Sequence, residues 1–112
     1  MNGPALLTAL TAIVGEDGVR TDDAACALAA SDVHVNGARP LAVVRPGDAA
    51  QVAAVVAAAV GHGHAVLPRG GGLSYTGGYA PPHARSISVD MRGMNRILAI
   101  APDDMVMTVE AG

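Results

Sequence analysis

At 112 residues the chain has room for one domain with a modest core, too small to enclose a dinucleotide as well. A net charge of −3, with seven arginines and no lysine, excludes a basic nucleic-acid surface, and two tyrosines as the only aromatic residues exclude a base-stacking platform. Cys26 has no cysteine partner, which excludes an internal disulfide and leaves the redox compartment open; the longest apolar stretch, Val52 to Val60, is far short of a membrane span and no basic run precedes an apolar one at the N-terminus, so the expected location is the cytoplasm.

Leu6, Leu7, Leu10, Ile13 and Val14 fall at helical spacing, which predicts a helix over 4–14 with Gly15 as its stop. Asp22 or Asp23 is placed to cap a second short helix reaching Ala30, and residues 31–40 read as loop. Leu41 to Val44 is an apolar run of strand type. Asp48, with Gln51 three residues on, forms a capping box for a helix from Ala49 to Val60. That run is almost wholly apolar and predicts burial on most of the helix surface. Gly61 and Gly63 follow as stops, and Ala65 to Leu67 reads as a buried strand. Strand, helix and strand with short joints make a βαβ unit, whose strands should be parallel. Beyond Pro81-Pro82, Ser86 to Asp90 alternates Ile87 and Val89 with polar neighbours, as a strand does. Ile97–Ala101 and Met105–Glu110 predict a hairpin turning at Pro102-Asp103-Asp104. The fold class is α+β: N-terminal helices, a βαβ unit with a small parallel sheet, then the start of an antiparallel sheet.

Residues 68–79 read Pro-Arg-Gly-Gly-Gly-Leu-Ser-Tyr-Thr-Gly-Gly-Tyr, with five glycines between positions 70 and 78. Ordering such a segment is entropically expensive, and glycine loses the most. Backbone N–H groups can turn together onto an anion where no Cβ intervenes. The loop also leaves the carboxyl end of a predicted strand, where open α/β sheets bind ligands. A phosphate cradle is therefore the functional reading, against a plain flexible surface loop. A lysine-dependent phosphate loop is excluded, because Gly78 and Tyr79 follow Gly77 where Lys-Ser/Thr would stand. The Gly-x-Gly-x-x-Gly dinucleotide pattern fails as well: Gly70 and Gly72 fit, but Tyr75 takes the third place.

Arg69-Gly70-Gly71-Gly72-Leu73-Ser74 with Gly77-Gly78 resembles the pyrophosphate loop of FAD-linked oxidases of the vanillyl-alcohol oxidase/PCMH superfamily. The flanks agree in order and spacing: Arg39-Pro40-Leu41-Ala42-Val43-Val44-Arg45-Pro46, Gln51-Val52-Ala53-Ala54-Val55-Val56, Val89-Asp90-Met91-Arg92-Gly93-Met94-Asn95-Arg96-Ile97 and Val109-Glu110-Ala111-Gly112. The resemblance implies FAD between two subdomains, with its pyrophosphate on Arg69, Gly70, Gly71, Gly72, Leu73, Ser74, Tyr75, Thr76, Gly77 and Gly78. It implies an N-terminal helical segment over 1–38 and, over 39–112, the first part of a PCMH-type domain that continues further in the family. Many members attach FAD through a histidine where Leu73 stands here, so non-covalent FAD is expected. The implied activity is flavin-dependent oxidation of a hydroxylated small molecule such as a 2-hydroxy acid. Catalytic groups are expected outside this chain, and none is assigned within it. Two other readings stay open: a stand-alone phosphate or nucleotide-binding module, and a truncated, non-catalytic remnant.

The remaining polar residues read as structural. His62 and His64 are expected at the surface near a helix C-terminus rather than on a metal, and His34 and His83 in solvent-facing loops. Asp103-Asp104 is turn chemistry. Asp90 is suited to bonding backbone, and the methionines to filling core. Arg69 is suited equally to pairing with a phosphate and to bracing the loop.

Overall fold

The computed structural model describes residues 3–112. The elements are α1 (Gly3–Val14), β1 (Val19–Arg20), α2 (Asp23–Ala29), β2 (Ala42–Val44), α3 (Ala49–Gly61), β3 (Ala65–Arg69), β4 (Ser86–Asp90), β5 (Ile97–Ala101) and β6 (Val106–Val109). Local chemistry sets the boundaries. Gly15 ends α1 at φ +85°, donating its amide to Thr11 O at 2.8 Å. Asp22 caps α2 by accepting from Ala25 N, and Asp48 caps α3 by accepting from Gln51 N at 2.8 Å. Gln51 Oε1 takes the amide of Gly47, one residue earlier than a strict capping box requires.

The first sheet runs β1-β2-β4-β3. β2 and β3 each lie parallel to β4, so the βαβ pair is parallel as expected but with a third strand between its members. β1, too short to read from sequence, adds an antiparallel edge through Val19↔Val44 and Arg20↔Val43. On one face Ala42, Val44, Ile87 and Val89 meet Leu6, Leu10, Val55 and Ala59 to form the core. α2 packs against β2 and buries Cys26 and Ala29. Pro68 is tolerated because β3 is an edge strand.

Two expectations are corrected, for α3 and for His64. α3 is buried only along Val55 and Ala59, while Val60 stays 64% exposed, because α1 and the sheet cover a single side of it. β4 forms over Ser86–Asp90 as expected, and all five of its residues are buried, with a strand on each side. The Ser86 hydroxyl there donates to His83 O, whereas Ser88 Oγ has no partner. His64 is buried rather than at the surface, with Nδ1 3.0 Å from His62 O.

The hairpin β5–β6 forms as expected, with a register irregularity between Ile97 and Ala99 and a 3-10 turn over Pro102–Asp104 closed by Met105 at φ 53°. Arg96 holds its base, donating its amide and guanidinium to the Glu110 carboxylate. Its apolar side chains are exposed, among them Met105 and Met107, which therefore do not fill core. Among the described residues no helix is long and apolar enough to cross a membrane.

Candidate functional site

β3 delivers Arg69 to the carboxyl edge of the sheet, and the glycine loop starts there. Two of its glycines are conformationally required. Gly72 has φ +82°, and a Cβ on it would lie 3.1 Å from Arg69 Nη2; Gly77 has φ +71°, and its Cβ would lie 3.3 Å from Val35 Cγ2. Gly71 is different, since nothing stands within 4 Å of where its Cβ would be. Among the described residues the amides of Gly71, Gly72 and Leu73 donate to no other group. Successive unengaged donors beside open space are what an anion requires of a backbone.

The second half of the loop is held from within. Ser74 N donates to Tyr79 Oη at 3.3 Å, Ser74 Oγ and Thr76 Oγ1 lie 3.3 Å apart, and Ala80 N donates to Gly77 O. Tyr79 is buried and carries the Arg69 guanidinium over its ring at 4.5 Å. Arg69 Nη1 also donates to Ser31 O at 2.9 Å. Of the two roles open to it in sequence, these contacts are those of a brace. Leu73 and Tyr75 point outward, 76% and 64% exposed, and Gly70 and Gly78 flank the turn.

Asp32 escaped the sequence reading, and Asp90, read as bonding backbone, also gathers two arginines. Asp32 accepts from the amides of His34 at 2.8 Å, Val35 at 2.6 Å and Gly77 at 2.5 Å. Burial acts to raise its pKa, but these three amides hold it below the ordinary carboxylate value. An aspartate opening a turn was a usable local signal for the first two bonds, not for the third. Asp90, 4% exposed, gathers Arg45 Nη2 at 2.7 Å, Arg92 Nη2 at 2.9 Å and the Arg92 amide. Burial again opposes ionisation, and the two guanidiniums and the Arg92 amide overcome it, holding the carboxyl well below the usual range. Asp90, Arg45 and Arg92 border a cavity of about 160 Å³ that Arg20 and Arg69 also line. Each of these guanidiniums already has an oxygen partner: Asp22 for Arg20, Asp90 for Arg45 and Arg92, Ser31 O for Arg69. The cluster therefore braces the strand ends, and the free donors lie on the glycine loop. Those donors, with the Ser74 and Thr76 hydroxyls next to them, fit a pyrophosphate.

The family profile for the FAD binding domain matches residues 40–112. The chain belongs to that family. Its fold is that of FAD-linked oxidases of the PCMH type, here as a partial FAD-binding domain. An alkyldihydroxyacetonephosphate synthase superposes with a TM-score of 0.81 at 23% identity, over 95% of this chain and 24% of that one. A p-cresol methylhydroxylase with substrate bound gives 0.73 at 23% identity, over 89% and 20%. The BBE-like 1 protein of Physcomitrella patens gives 0.60 at 26% identity, over 84% and 21%. This chain thus spans between a fifth and a quarter of the length of these structures. No curated protein matches it. The cofactor of this domain family is FAD.

Proposed function

We propose that the segment from Arg69 to Gly78 holds the pyrophosphate of FAD, and that residues 39–112 serve as the first part of the FAD domain of a flavin-dependent oxidoreductase. The observation that carries this reading is the run of unengaged amides at Gly71, Gly72 and Leu73 beside the open space over Gly71. These amides would take the phosphate oxygens. The Ser74 and Thr76 hydroxyls, now 3.3 Å apart and facing each other, would add bonds by rotating outward. Arg69 stays on Tyr79 and Ser31 O and fixes the loop's first residue. Bound flavin would supply hydride acceptance, and this chain supplies its placement.

Leu73 has no nucleophilic atom, so the histidyl type of flavin attachment is not made at this position, and FAD is expected to be held non-covalently. The substrate class we favour is a hydroxylated small molecule such as a 2-hydroxy acid, in keeping with the resemblance of the loop to that of FAD-linked oxidases and with Leu73 in place of the attaching histidine.

The test is the product of the whole reading frame. It should purify yellow, with flavin absorbance, or take up added FAD; a colourless protein that binds no FAD overturns the proposal. The 112-residue chain alone offers one wall of a cleft and should bind FAD weakly or not at all, so retention at micromolar FAD would contradict that part.

A further inference from the structure

The glycine loop is shaped by a second segment, 45 residues earlier in sequence at its closest bond. Residues 31–36 fold on themselves through an antiparallel bridge between Ser31 and Asn36 and a bond from Asp32 N to Val35 O at 2.9 Å. This small turn meets the loop at four places: Arg69 Nη1 reaches Ser31 O, Val33 N reaches Ser74 O at 3.4 Å, the His34 and Tyr75 rings lie 5.7 Å apart, and Gly77 N reaches Asp32 Oδ2. Of these, only the last is a charge-assisted bond to a loop amide.

We propose that Asp32 is a positioning residue for the phosphate loop. One oxygen ties the turn together at His34 and Val35; the other fixes Gly77. A carboxylate can do both at once because it only accepts. Fixing Gly77 anchors the far end of the loop, as Arg69 anchors the near end, so that the amides between them keep their aim without a bound ligand. The role rests on the FAD reading above. Ordering the loop beforehand lowers the entropy lost on binding, so Asp32 should act on FAD affinity more than on global stability.

The experiment uses the product of the whole reading frame, with Asp32→Ala, Asp32→Asn and, as a control for general destabilisation, Val55→Ala in the core. Ligand-free amide exchange at Gly77 is followed by NMR, and FAD affinity by fluorescence below the melting range of every variant. In Asp32→Ala, Gly77 exchange should accelerate and the Kd for FAD rise, each by about tenfold, the scale of one charge-assisted bond. Asp32→Asn keeps one carbonyl acceptor and should fall between Asp32→Ala and the unaltered protein. Val55→Ala should keep the original Kd. Unchanged Gly77 exchange in Asp32→Ala overturns the inference. So does faster exchange with unchanged FAD affinity, which leaves the FAD reading intact. If the unaltered protein binds no FAD, the proposed function fails and the inference fails with it.

Discussion

Gly77 and Gly71 lie in the same loop, yet alanine should act on them in opposite ways. At Gly77 the backbone sits at φ +71°, where a Cβ costs about 1–2 kcal/mol. The new methyl would also press on Val35 Cγ2 from 3.3 Å. Against this, alanine restricts the unfolded chain and returns about 0.4–1 kcal/mol. The net expectation for Gly77→Ala is a loss of about 1 kcal/mol. At Gly71 there is no left-handed strain and nothing within 4 Å, so only the unfolded-state effect remains. Gly71→Ala should be neutral or gain up to about 1 kcal/mol. Its methyl would nevertheless enter the space that the proposed function gives to phosphate oxygens, so FAD affinity should fall at unchanged stability. Urea unfolding followed by far-UV circular dichroism measures the first quantity, and FAD fluorescence quenching the second. Equal stabilities for the two variants would refute the backbone argument. Unaltered FAD affinity in Gly71→Ala would refute the assignment of that space to phosphate.

Asp90→Asn removes the negative charge shared by Arg45 and Arg92 and one of its two acceptor oxygens; with those side chains 55% and 57% exposed, solvent screening reduces the usual cost of an orphaned buried pair to about 1–3 kcal/mol, readable as a lower urea midpoint. Because the folded-state pKa of Asp90 lies below its ordinary 3.8, its contribution is present above that value and is lost as pH falls below it; the Asn variant should show a flatter acid limb between about pH 5 and 2 in the same urea assay. Leu10→Ala removes a fully buried core side chain and should cost about 2–5 kcal/mol in thermal or urea unfolding. Acid precipitation of the flavin-loaded product should leave all flavin in the supernatant, and flavin retained in the pellet by a bond from this segment would contradict the reading of Leu73.

Much of the site was legible because its geometry is local. Glycine is favoured where φ is positive, as at Gly72 and Gly77, and a run of glycines after an apolar strand announces close approach to backbone. The caps Asp22 and Asp48 and the stop at Gly15 likewise act within one helical turn, so the sequence shows them directly. The hairpin was readable from its proline-led turn. What held the loop in shape was not readable. Asp32 reaches Gly77, Arg69 reaches Ser31, and Asp90 draws Arg45 to Arg92, each across about forty residues or through a strand order that no local pattern encodes.

The sequence by itself determined the types of every element but the two-residue β1, the caps of α2 and α3, and the glycine loop with its family resemblance, because propensity, capping and turn chemistry act between residues a few positions apart. Only the tertiary structure decided that β4 runs between β2 and β3, that α3 leaves one side uncovered, and that Asp32 and Arg69 grip the loop from its two ends. Those features depend on which distant surfaces bury one another, and chain closure over dozens of residues leaves no periodic trace in the residues themselves.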